Sequence, residues 1–259
     1  MTTVSQVYDY LQTLAPVEGK MSWDNVGLLC GSGNAAVTKI LVALDPFEHV
    51  CHEAAAWGAE LIVTHHPLIF RATNAVTDET SVGRSIMTLC RTGISAVCAH
   101  TNLDCAEGGV NDVLAQTLGL TEVSPIPHSG SCAPGLLRKG CVREQSLEAF
   151  LGHVKATLGC AGLRYVSGGK PVRHVAVGGG SCADGMLDAL DAGCDTLVTA
   201  DVKYNQFWDA RELGINLIDA GHFHTENPIV PVLAGRLREA FPDVTVKISE
   251  THADCMKFY

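Results

Sequence analysis

Three short apolar runs, at residues 61–64, 94–97 and 215–218, each stop at a cluster of histidine and acidic side chains, and this pattern constrains the fold more than any other feature of the chain. Short runs rich in β-branched residues read as buried strands, and the first ends at Pro67, as a strand leaving its sheet would. His65 and His66 follow the first run, and the second leads into His100, Thr101, Asn102, Leu103 and Asp104. The third leads into Asp219, Gly221, His222, His224 and Glu226. Ligands gather at the carboxyl ends of strands in open α/β sheets. Three strand ends therefore deliver imidazoles and carboxylates from distant parts of the chain, the donor inventory of a metal site.

The segments between these runs carry helical periodicity, so strands and helices alternate and an α/β fold with largely parallel sheets is expected. Helices are predicted over 3–14, 47–57, 81–92 and 108–118. Residues 40–64 laid over 175–199 match Val42 with Val177, Ala54 with Ala189, Gly58 with Gly193, Val63 with Val198 and Thr64 with Thr199. Gly93-Ile94 likewise parallels Gly214-Ile215, which predicts two related halves. In this alignment His65 and His66 correspond to Ala200 and Asp201, so the second half lacks the histidine pair. Pro125, Pro127, Gly130, Pro134 and Gly135 mark 121–135 as a linker or crossing loop. The expected division is a discontinuous first α/β domain, 1–127 with 227–259, and a second, related domain at 128–226.

Composition narrows the class. A chain of 259 residues with 47% hydrophobic content can bury a large core. Its net charge of −10, without any basic run, argues against a nucleic-acid polymer as partner, because phosphate backbones require clustered Lys and Arg. No segment approaches the roughly 20 apolar residues of a membrane span, and residues 1–14 lack the continuous apolar core of a signal peptide, so a cytoplasmic location is expected. Eleven cysteines occur without a C-x-x-C pair and are expected to be reduced, mostly buried thiols.

Successive side chains in extended backbone point apart, so His65 and His66 can serve one ion each of a metal pair. Asp104 and Glu226 can each offer two oxygens, one of them bridging ions about 3.5–4 Å apart. His222 completes the set. Thr225 reads as an N-cap, placing Glu226 in the first helical turn and His222 in the preceding loop. Mixed imidazole and carboxylate ligation suits Zn, Mn, Fe, Co or Ni. Two such divalent ions leave a positive spot that prefers an anionic group such as phosphate, and hydrolysis is the default chemistry. A metal-handling protein or a metal-stabilised interaction scaffold without turnover is the alternative.

Four segments together carry a resemblance: Ser22-Trp23-Asp24-Asn25-Val26-Gly27-Leu28, Thr64-His65-His66-Pro67-Leu68, His100-Thr101-Asn102-Leu103-Asp104, and Gly221-His222 with Thr225-Glu226. In this order they resemble the dinuclear-metal family of GTP cyclohydrolase 1 type 2 homologues. The resemblance implies two similar three-layer α/β/α units with mostly parallel sheets, a dinuclear centre held by His65, His66, Asp104, His222 and Glu226, and a ring-shaped homohexamer. It extends the substrate class from a small anionic molecule to a nucleotide. Residues 199–205 depart from the family pattern, with Ala200 for Gly and Asn205 for His, so His100 or His224 is expected to supply proton transfer in its place.

His100 is equally consistent with a partner that orients a ligand. Asp24 and Asn25 can orient a histidine or contact substrate, and Trp23 is expected to pack rather than stack. The Gly178-Gly179-Gly180-Ser181 run reads as a tight strand-to-helix turn in preference to a phosphate cradle. His49, His52, His128, His153 and His174 would assist metal traffic on the alternative reading.

Overall fold

The computed structural model describes residues 1–127 and 134–259, so His128, Gly130 and Cys132 lie outside the described residues. In chain order the elements are α1 (Val4–Leu14), β1 (Gly27–Cys30), β2 (Lys39–Ala43), α2 (Glu48–Trp57), β3 (Leu61–Thr64), α3 (Ser81–Thr92), β4 (Ser95–Cys98) and α4 (Thr101–Cys105). There follow α5 (Val110–Thr117), β5 (Thr121–Pro127), β6 (Pro134–Gln145), α6 (Leu147–Leu158), β7 (Arg164–Val166), β8 (Val172–Val177), α7 (Met186–Asp191), β9 (Thr196–Thr199), α8 (Tyr204–Leu213), β10 (Asn216–Asp219) and α9 (His222–Glu226). The chain closes with α10 (Ile229–Ala240) and β11 (Thr245–Ile248).

Two compact units result, one of Met1–Ala106 with Val230–Ala253 and the other of Glu107–Ile229 with Asp254–Tyr259. The boundary falls well before residue 127, where the sequence had suggested it. Leu114, Ala115, Leu118 and Leu120 belong to the second unit's core, and β5 is hydrogen-bonded to β6. The proline-rich stretch is thus strand on both sides of the undescribed residues. Prolines are tolerated because β5 is an edge strand with an irregular register.

The first unit has a five-stranded sheet of order β1-β4-β3-β2-β11, parallel throughout except for β1 against β4. Leu41, Ala43, Ile62 and Ala96 pack with Val50, Ala54, Ile86 and Leu89 of α2 and α3. Their strand neighbours Ile40, Val42, Leu61, Val63 and Val97 are buried too, so both faces are covered and the strands read as unbroken apolar runs. Gly58 and Gly93 end α2 and α3 at φ +73°, a conformation costly for residues with a Cβ.

The second unit has a six-stranded sheet of order β5-β6-β8-β9-β10-β7. Only β8-β9-β10 is parallel; β5, β6 and β7 add antiparallel edges, so this sheet is mixed. Val175, Val177, Val198 and Ile218 face the α5 and α6 core, while Ala176, Leu197 and Leu217 face the α7 and α8 core, the period-two division of a strand buried on both sides.

The repeat is structural. The order α1-β1-β2-α2-β3-α3-β4-α4 recurs as α6-β7-β8-α7-β9-α8-β10-α9. In each copy the three parallel strands are adjacent, and the short first strand lies antiparallel to the last.

Candidate metal centre

In the first unit the carboxyl ends of β3 and β4 bring His65, His66, His100 and Asp104 together. The ring centroids of His65 and His66 lie 4.9 Å apart, and His100 lies 5.2 Å from His65 and 5.5 Å from His66. Ligand atoms of these three imidazoles fall within 4.8 Å of one another. Each ring is oriented through Nδ1. His65 Nδ1 lies 3.0 Å from the Ala99 carbonyl, His66 Nδ1 2.6 Å from Asp45 Oδ1, and His100 Nδ1 2.8 Å from Asp24 Oδ1. A proton on Nδ1 toward such an acceptor leaves the Nε2 lone pair for a cation, the arrangement typical of metal-binding histidines. His65 Nε2 is 3.5 Å from Asp104 Oδ1, close to the span of two bonds of about 2.0–2.1 Å at a tetrahedral angle.

The orienting carboxylates are themselves anchored. Asp24 is buried, and burial raises its pKa; hydrogen bonds from His100 and from Thr101 N–H (3.0 Å) and Oγ1 (2.5 Å) prevail and bring it down to about 2. Asp45 takes a second hydrogen bond, 3.0 Å, from His252 Nε2, and its two histidine partners overcome burial to hold it well below the usual carboxylate range. Glu53 of α2 holds the segment carrying His252. It accepts from Ser249 Oγ (2.5 Å), Glu250 N–H (3.0 Å) and both Thr251 N–H (3.2 Å) and Oγ1 (2.7 Å).

In the second unit His222 and Glu226 lie one turn apart on α9, with Nε2 and Oε2 separated by 3.0 Å. Two bonds of about 2.0–2.2 Å meeting near a right angle span that distance. The helix begins directly after Gly221 (φ +83°), so His222 belongs to it rather than to a preceding loop. Thr225 does not cap a helix; its hydroxyl donates back to Gly221 and His222 carbonyls and accepts from Gly180 N–H at 3.0 Å. His222 Nδ1 is 2.7 Å from Asp201 Oδ2. Burial would lower the His222 pKa, but hydrogen bonds to Asp201 and Glu226 outweigh it and push it up to about 11. The two carboxylates flanking this imidazole, Asp201 and Glu226, would also attract a metal cation.

The glycine run after β8 is the wall behind Glu226. A Cβ on Gly180 would fall 2.2 Å from Glu226 Oε1 and 3.0 Å from His222 Nε2. Its amide and that of Gly179 are spent on Thr225 and Asn111, so this turn makes room for a carboxylate instead of cradling a phosphate. His224 is also engaged elsewhere, Nδ1 at the Leu158 carbonyl (3.1 Å) and Nε2 at Asp254 (3.2 Å), which ties it to the C-terminal segment. Trp23 is exposed and meets Phe70 and His100 edge-on, contrary to the expected packing role.

Asp45 and Asp201 as orienting carboxylates, and Gly180 as a space-maker, were missed in the sequence. The repeat held a usable signal: Asp45 is the counterpart of Gly180 and His66 that of Asp201, all two or three residues past the end of a strand.

Residues 2–255 match the family model described as Duf34/NIF3 (NGG1p interacting factor 3). The chain belongs to this family. A Clostridium perfringens protein named GTP cyclohydrolase 1 type 2 homolog is 34% identical over 260 residues, covering 98% of this chain and 99% of its own. A Helicobacter pylori (strain J99) protein named GTP cyclohydrolase 1 type 2 is 33% identical over 239 residues, 90% of this chain and 91% of its own. The crystal structure of a Bacillus cereus protein related to NIF3 superposes with a TM-score of 0.92 at 25% identity, covering 100% of this chain and 99% of that one. No helix among the described residues is long and apolar enough to cross a membrane.

Proposed function

We propose that this NIF3-family chain is a dinuclear metal-dependent hydrolase of a small anionic substrate, with His65, His66, Asp104, His222 and Glu226 holding two divalent transition-metal ions. The observation that carries the reading is the orientation of every imidazole in this set through Nδ1, by the Ala99 carbonyl, Asp45 and Asp201. Structural histidines need no such uniform presentation of Nε2, whereas metal ligands do. Zn, Fe, Mn, Co and Ni all suit these donors. Once bound, such ions supply Lewis acidity and water ionised near neutral pH.

The chain's own residues do the remaining work. Asp45 and Asp201 fix tautomer and ring direction for His66 and His222. His100, oriented through Nδ1 by the Asp24 carboxylate, is the side chain proposed to pass a proton to a departing group. The names of the relatives extend the substrate class to nucleotides, and the assembly proposed is a cytoplasmic homohexamer.

The test is metal content per chain, with a hydrolysis screen of nucleotides and phosphoesters, on wild type, Asp104→Asn and Glu226→Gln. About two ions per wild-type chain, and loss of metal and turnover together in both variants, is the expected result. Two ions without turnover on any substrate would favour metal handling. An active metal-free protein would overturn the proposal.

A further inference from the structure

A cavity of about 570 Å³ opens in the first unit beside the end of β3, within the size range of small-molecule sites. Its wall includes Asp45, which orients His66, and Pro67, which follows it. The cavity therefore backs onto the histidine cluster.

Three large apolar side chains on this wall stand in solvent: Phe47 is 49% exposed, Phe70 48% and Val82 40%. Apolar side chains gathered around one concavity mark a binding site, whereas scattered ones carry no message. Phe70 also meets His100 edge-on, with centroids 5.9 Å apart, and Trp23 at 5.8 Å. Aromatic surface thus continues from the cavity to the imidazole assigned the proton.

Charge defines the other half of the ligand. Arg71 lines the same cavity and, among the described residues, forms no ion pair or hydrogen bond. Arg84 on α3 is by contrast held by Glu48 at 2.7 Å and the Asp78 carbonyl at 2.8 Å. An uncommitted guanidinium beside an aromatic wall complements a flat ring that carries an anion, since ring faces stack on aromatics and Arg binds phosphate or carboxylate.

We infer that this cavity is the ring-binding subsite of the enzyme, taking a flat heteroaromatic ring against Phe47 and Phe70 with its anionic group at Arg71. The inference rests on the hydrolase reading for its connection to turnover, though ring binding itself does not require metal.

The experiment is equilibrium binding to the full-length protein of adenosine and guanosine 5′-monophosphates and of the ringless ribose 5-phosphate, with metal content measured on every sample. The nucleotides should bind at least about tenfold more tightly than ribose 5-phosphate, and Phe47→Ala or Phe70→Ala should weaken them by about 5- to 100-fold, the range of one base–aromatic stack. Neither variant should alter ribose 5-phosphate binding, and Arg71→Gln should weaken both kinds of probe. Both phenylalanines are half exposed, so truncation leaves the core intact. Equal affinity for ringed and ringless probes, or unchanged nucleotide affinity in Phe70→Ala, would overturn the inference. Metal retained with nucleotide binding indifferent to both phenylalanines sinks the subsite and spares the metal centre. Nucleotide binding lost in Phe70→Ala in a protein that takes up no metal does the reverse.

Discussion

Substitution of Gly180 by alanine tests the second unit's half of the proposed centre without touching a ligand. Gly180 sits at φ +61°, where an L residue pays about 1–2 kcal/mol, and the added Cβ would lie 2.2 Å from Glu226 Oε1 and 3.0 Å from His222 Nε2. The carboxylate is the flexible partner, so it moves, and the 3.0 Å pairing of Oε2 with Nε2 is lost. Gly193→Ala separates the two effects. Gly193 has φ +82° in the same unit, but its added Cβ would have nothing within 4 Å. Both variants should melt lower by roughly 2–8 °C, at about 2–4 °C per kcal/mol for a chain of this size. Only Gly180→Ala should weaken metal binding, by about 10- to 100-fold, as when a ligand's support is removed. Titration calorimetry of the metal-stripped protein with Zn²⁺ or Mn²⁺ reads this directly. Wild-type affinity in Gly180→Ala, or an equal loss in Gly193→Ala, would refute the reasoning.

Asp45→Asn and Asp201→Asn should each cost about 10- to 100-fold in metal affinity with the fold intact by circular dichroism, because each removes the charge that orients one imidazole; affinity within twofold of wild type in both would contradict this. Glu53 has its pKa lowered from the ordinary 4.5 to about 2, the hydrogen bonds from residues 249–251 prevailing over burial. Its stabilisation is complete above pH 4.5 and is lost as pH falls through about 2, so Glu53→Gln should reduce stability at neutral pH and flatten the acid limb of the stability curve below 4.5; unchanged denaturation curves at pH 7 and pH 3 would count against it. Limited alkylation followed by mass spectrometry should modify exposed Cys90 and Cys255 first, and Cys51 and Cys98 last, since burial pushes those two thiols up to about 11 and 12; early labelling of Cys98 would show that the edge strand β1 opens away from β4.

Much of this molecule was readable in the sequence because its main signals are local. Apolar runs buried on both faces, glycines closing helices and a repeat with matched glycines specify β2-α2-β3 and β8-α7-β9 without reference to distant contacts. The departures have identifiable physical causes. Residues 121–127 read as linker because edge strands tolerate proline, and hydrogen bonding to β6, not propensity, makes them a strand. His222 read as loop because Thr225 resembled a cap, but that hydroxyl is used by the Gly180 amide and nearby carbonyls. His224 looked as useful as His222 until the Leu158 carbonyl and Asp254 claimed both its nitrogens. The candidate metal donors were legible because few other roles place His-His at the end of a buried strand. Their orienting partners were not, because Asp45 and Asp201 acquire meaning only when loops after different strands converge.

The two repeats illustrate how one scaffold reaches the same chemical solution along different routes. In the first copy the imidazole follows β3 and its carboxylate, Asp45, follows β2. In the second the carboxylate, Asp201, stands where the first copy has His66, and the imidazole, His222, has moved to the helix after β10. The position equivalent to Asp45 is Gly180, and the space vacated there receives Glu226. Had the histidine–carboxylate pairs merely survived from a duplicated ancestor, they would occupy equivalent positions. They occupy different ones, yet each joins Nδ1 to a carboxylate oxygen at 2.6–2.7 Å and turns Nε2 the other way. Repetition of a pairing geometry without repetition of its positions points to selection on the imidazole's second nitrogen, which is what a metal ligand requires and a packing histidine does not.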